Sequence, residues 1–148
     1  MLEVGIVLGL LIILGLGFYA GKLLFQLKQQ NSKQAKMRTE RIENIMVSVR
    51  TIAMAMAQQQ CDLSEGVIRL TNLLNALPIL PAPDFRKEYP AIYTLHDEIA
   101  QFATHEKRSA LSKKERRLED KARESIEAQY ESKIMDEVER LQKYYPQP

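Results

Sequence analysis

The chain of 148 residues has no tryptophan, one cysteine and two histidines, and five of its six glycines fall within the first 21 positions. Each scarcity excludes something. A single cysteine, Cys61, forms no internal disulfide, which agrees with a reducing compartment. Gly66 is the only glycine beyond residue 21, so no glycine-rich loop is present to cradle phosphate groups. His96 and His105 stand nine positions apart, whereas ligands sharing one helix face are spaced by three or four. A net charge of +2 is too close to balance for a globally basic nucleic-acid binder. Few glycines and no tryptophan give no support to an all-β or collagen-like chain.

What is present begins with an apolar run. Val4 to Gly21 is eighteen residues without a charge, and at about 1.5 Å per residue it approaches the ~30 Å of a hydrocarbon core. Apolar character continues past Lys22 through Leu23, Leu24, Phe25 and Leu27, and a lysine at that depth snorkels to the interface. The opening Met1-Leu2-Glu3 carries an acid and no base, and Phe18-Tyr19-Ala20 is a poor cleavage site. A retained anchor is expected rather than a removed signal peptide. Six bases follow the span before residue 42 (Lys22, Lys28, Lys33, Lys36, Arg38 and Arg41), against the single acid Glu40. That asymmetry predicts a single-pass inner-membrane protein with its C-terminal part in the cytoplasm. Gly5, Gly9, Gly17 and Gly21 lie on one four-residue ridge interrupted by Ile13. Such a ridge suits close packing of two membrane helices, and hence a homodimer through the span.

The domains expected are an anchor over 1–27, a polar juxtamembrane linker or helix extension over 28–37, and a helical domain over 38–145. Ile42, Ile45, Val49, Ile52 and Met56 repeat at spacings of three and four, so a helix is expected over Arg38–Gln59, ending near Cys61. Asp62-Leu-Ser-Glu65 has the pattern of a capping box. It should start a second helix to about Ala76, striped by Leu63, Val67, Leu70, Leu74 and Leu77, with Glu65 placed to pair with Arg69. Gly66 there permits close approach of a neighbour. Pro78, Pro81 and Pro83 break the chain into a stiff connection. Pro90 suits the first turn of a third helix, expected to end near His105 and striped by Ile92, Leu95, Ile99 and Phe102. Ser112-Lys-Lys-Glu115 is a second capping box, opening a long helix to about Tyr144. The fold class is therefore all-α: one N-terminal transmembrane helix, then a small helical bundle with a long charged C-terminal helix.

Charge along the last helix is split by sign. Residues 107–117 hold six bases and one acid, and residues 119–139 hold eight acids and three bases. Lys107, Arg108, Lys113, Lys114, Arg116 and Arg117, with Lys22 and Lys28, are candidates for contact with lipid headgroups or a partner. No aromatic interleaving accompanies them, so nucleic acid is not expected.

Chemistry has few candidates. A metal site or enzyme would have to draw on Cys61 with His96 and His105, and no base neighbours Cys61 in sequence. Asp62 beside it raises a thiol pKa, while a following helix N-terminus lowers it. No catalytic residue, cofactor or metal is assigned. The function expected is a non-enzymatic interaction or scaffolding module with an unknown protein partner.

Arg50-Thr-Ile-Ala-Met-Ala-Met, followed by Gln60-Cys-Asp-Leu-Ser-Glu-Gly66 and Ile68-Arg69, resembles a bacterial family of unknown function. Thr104-His105-Glu106 leading into Lys113-Lys-Glu-Arg116 is similar as well. The resemblance covers most of the chain. It implies bacterial origin, a short N-terminal span and a cytoplasmic helical domain, and it brings neither an activity nor site residues.

Overall fold

The computed structural model describes residues 1–102 and 105–146; of Leu2, His105, Glu106 and Lys107 it describes the backbone alone. Six helices follow one another: α1 (Leu2–Ala57), α2 (Leu63–Asn75), α3 (Phe85–Glu88), α4 (Pro90–Ile99), α5 (His105–Ala110) and α6 (Lys113–Gln142). There is no strand among the described residues. The chain divides into two compact units, Met1–Glu40 and Arg41–Pro148.

The first unit is helix throughout from Leu2, including the polar stretch 28–37. None of residues 10–40 is buried. Leu10, Leu11, Ile13, Leu14 and Leu16 are each more than half exposed.

The second unit holds the core. Ile42, Met46, Val49, Ala53 and Met56 of α1 are buried at spacings of four and three, and Ile45 and Ile52 are half-buried beside them. Met37 and Met54 are 67% and 52% exposed, so of the four methionines on this helix only Met46 and Met56 are core. The helix stops at Ala57, two residues short of the expected Gln59. Gln59 takes a left-handed φ of 57°. Its N–H donates to the Met56 carbonyl, and the Gln60 N–H donates to the Ala55 carbonyl. This is the double closure of a Schellman motif, built here without the usual glycine.

Helix α2 opens at Leu63 with Asp62 as N-cap, but the Asp62 side chain makes no capping hydrogen bond. The expected box at Asp62–Glu65 is therefore corrected. Glu65 pairs instead with Arg69 one turn on, and Ser64 donates to Glu127 of α6. Val67, Leu70 and Leu74 are fully buried. Gly66 touches α1: a Cβ there would stand 2.3 Å from the Met56 sulfur. A methyl group at this point would overlap a side chain that is itself 1% exposed.

The proline segment is more than a connection, because Leu77 and Ile79 join the core. Helix α3 was not expected from the sequence; Asp84 caps it by accepting from the Lys87 N–H. Helix α4 begins with Pro90 at its first turn and buries Ala91, Ile92, Tyr93, Leu95 and Ile99. It ends at Ile99, not near His105. His105 instead begins α5, so it does not sit at a helix C-terminus. The end of α6 completes the core with Ile134, Val138 and Leu141, whereas Leu118, early on the same helix, is 60% exposed. Tyr144 edges onto Phe85 and Tyr89, with ring centroids 6.0 and 6.5 Å away.

Candidate functional site

The N-terminal half of α1 carries the first group of candidate residues. A Cβ placed on Gly5, Gly9, Gly17 or Gly21 would meet nothing within 4 Å. Lys22 and Lys28 are exposed. One helix of the described residues is long and apolar enough to cross a membrane, with an eighteen-residue window of mean hydropathy 2.3, none of it buried.

The second group surrounds the start of α6. Ser112 caps that helix as its pattern indicates: its hydroxyl accepts from the Glu115 N–H at 3.3 Å, and the Glu115 carboxylate accepts from the Ser112 N–H at 2.8 Å. Ser112, through its hydroxyl first and its backbone N–H second, holds the Glu115 carboxyl below the usual carboxylate range. Arg108 reaches Asp120 at 2.7 Å, and Arg123 meets the same carboxylate at 3.5 Å. Arg116 donates from Nε to the Leu111 carbonyl. Arg108 and Arg116 are thus engaged within the fold. Lys113, Lys114 and Arg117 are exposed, and so is Lys121 one turn further. The Lys107 side chain lies outside the described residues.

The third group would have carried chemistry. Cys61 is half-buried, and its Sγ donates to the Asp62 carbonyl at 3.6 Å. Burial pushes the thiol up, Glu65 and Asp62 push the same way, and Arg69 opposes them. A thiol raised in this way is mostly protonated near neutrality, the opposite of an activated nucleophile. His96 lies in the last turn of α4, its Nδ1 3.5 Å from Asp97. Asp97 itself is drawn to Arg86, whose hydrogen bond holds its carboxyl down. Among the described residues no hydrogen bond or ion pair links Cys61 to His96, and no cluster of three or more metal-binding side chains occurs. The His105 side chain lies outside the described residues.

One centre escaped the sequence altogether. Glu137 of α6 is 5% exposed. Its two carboxylate oxygens accept from the Ala91 and Ile92 N–H groups of α4, each at 2.9 Å. Tyr89, the local N-cap, makes no side-chain bond, so α6 caps α4 from a distance of 46 residues in sequence. Unsatisfied N–H donors and the positive end of the helix dipole both favour an anion there. Nearby, the Tyr130 hydroxyl donates to Glu98 at 2.6 Å. A hollow of about 370 Å³ adjoins this centre, lined by Thr94, Tyr130, Lys133, Asp136, Glu137 and Arg140 among others. With both carboxylate oxygens spent on the helix end, Glu137 is a structural clasp. No sequence pattern marks it, since Glu137 is one of eight acids between 119 and 139.

The family described as Protein of unknown function (DUF2489) matches residues 13–141. An uncharacterized protein of Haemophilus influenzae is 40% identical over 138 residues, covering 93% of this chain and 91% of that protein. No solved structure matches.

Proposed function

Because the chain belongs to the DUF2489 family, whose function is unknown, its role has to be argued from its own residues, and we propose that it is a single-span membrane protein presenting a non-enzymatic helical docking domain to the cytoplasm. The observation that carries this is the apolar half of α1. Its eighteen-residue window has a mean hydropathy of 2.3 with none of it buried. A core helix of a soluble protein of that composition would be covered by its neighbours. Hydrocarbon is the solvent that suits it.

Lys22, Lys28, Lys33, Lys36, Arg38 and Arg41 on the C-terminal side support a cytoplasmic orientation at the inner membrane. The open space beside the glycine ridge supports a second copy packing through the span. The raised Cys61 thiol supports a docking rather than a catalytic role. The acidic arm of α6, exposed at Glu124, Glu131, Asp136 and Glu139, is the surface offered to a protein partner.

The test fractionates cells expressing the chain, with a cytoplasm-active or an export-active reporter after Pro148. Membrane retention through an alkaline carbonate wash, with signal from the cytoplasmic reporter alone, is expected. Leu11→Arg with Leu14→Arg should abolish retention, at ~2.5–3.5 kcal/mol per arginine at a span centre. Release of the unaltered chain by carbonate would overturn the anchor, and an active exported reporter would overturn the orientation.

A further inference from the structure

The basic residues at the root of α6 divide into two sets that the sequence does not distinguish. Arg108 is committed to Asp120 and Arg116 to the Leu111 carbonyl. Lys113, Lys114, Arg117 and Lys121 are all exposed and make no ion pair among the described residues. At about 100° per residue these four fall within roughly a 100° arc of the helix. Of the acids close to them in sequence, Glu115 is engaged in the Ser112 capping box and Asp120 between Arg108 and Arg123, and Glu119 turns one carboxylate oxygen into the fold; Glu124, three residues after Lys121, is exposed on the same arc and makes no ion pair among the described residues. The two arginines that enlarge the basic patch in the sequence therefore serve to occupy an acid and a carbonyl. What is left is a stripe of four unpaired positive charges against the single acid Glu124, flanked by Leu118 at 60% exposure.

We propose that Lys113, Lys114, Arg117 and Lys121 form a contact surface for anionic phospholipid headgroups, with Leu118 entering the interface beside them. This rests on the membrane attachment proposed above. Charge complementarity selects the occupant: the cytoplasmic leaflet is negative, and each basic residue near it adds attraction that salt screens. Attachment through α1 raises the effective concentration of headgroups, so a stripe of modest intrinsic affinity suffices. A basic face with an exposed leucine, and no aromatic for base stacking, fits a lipid surface better than nucleic acid.

The experiment uses the full chain carrying Cys61→Ser and Leu118→Cys, labelled at position 118 with an environment-sensitive fluorophore. It is reconstituted into nanodiscs of neutral lipid, or of neutral lipid with phosphatidylserine, each with a headgroup-borne quencher. Expected is quenching in the anionic discs alone, reversed by high salt. It should fall about tenfold or more in the variant Lys113→Gln, Lys114→Gln, Arg117→Gln and Lys121→Gln, with unchanged helical circular dichroism. The variant Arg108→Gln with Arg116→Gln should lose much less. Equal quenching in neutral and anionic discs, an unaffected four-glutamine variant, or protection of the label by added RNA in place of anionic lipid would each overturn the proposal. Copurification with discs reports the anchor separately. If the chain fails to incorporate, the attachment fails, and the same label then reports binding of the soluble protein to phosphatidylserine vesicles, whose absence would overturn the stripe as well.

Discussion

At Glu137 one side chain does the work usually given to a local cap. Its carboxylate satisfies two N–H groups that Pro90 and Tyr89 leave without a partner, and it does so at 5% exposure. Hydrogen bonds to a charged group are stronger than neutral ones, and stranded buried donors are costly. Glu137→Ala should therefore lower the unfolding free energy by about 2–3 kcal/mol, read as a drop in the urea midpoint of the detergent-solubilised chain. A change below about 0.5 kcal/mol, the scale of an ordinary surface substitution, would mean that water caps α4 equally well. Cys61 and His96, the residues that chemistry alone would single out, share no bond, and the thiol is raised rather than activated. The pattern Asp62–Glu65 has the residue types of a capping box without its bonds, because Glu65 has Arg69 within reach and turns to it.

The helices end by different devices. Helix α6 starts with a reciprocal capping box from Ser112 and Glu115, legible in four consecutive residues. Helix α1 ends with Gln59 in the left-handed region, where a side chain costs roughly 1–2 kcal/mol and glycine costs little. Nothing in Gln58-Gln59-Gln60 announces a stop, which is why the helix was expected to run on. Gln59→Gly should raise the denaturation midpoint by an amount equivalent to about 1 kcal/mol. A loss of stability would show that the Gln59 side chain contributes more than its backbone strain costs. Within α6, the apolar positions serve two ends: Ile134, Val138 and Leu141 enter the core, while Leu118 stays in solvent. A thin stripe in the sequence looks the same in both halves, and only packing separates them.

Across the second unit, tyrosines from separate elements meet in and around the core. Tyr89 is pushed up to about 12, chiefly by burial, with Glu88 and Tyr144 adding and Arg140 opposing. Burial raises Tyr93 and Tyr144 in the same direction. A folded-state value above the unfolded one means that the contribution is whole below the ordinary phenol value of 10.0 and is lost as the pH climbs toward 12. Alkaline unfolding should fall in that window, followed by helical circular dichroism alongside phenolate absorbance. Tyr89→Phe should narrow the stability difference between its two ends. An unaltered pH profile in that variant would assign the alkaline transition to other groups. Apolar segment, amphipathic stripes and charge blocks, all local properties of consecutive residues, were enough to determine an all-α chain, a helix fit to cross a membrane, the starts of α2, α4 and α6, and most of the buried face of α2, of α4 and of α1 beyond residue 41. Long-range pairing decided the rest: the reach of Glu137 to α4, the fit of Gly66 against Met56, and which bases at the root of α6 stay unpaired. Each of those depends on residues that tertiary packing brings side by side, and a linear pattern carries no record of such distances.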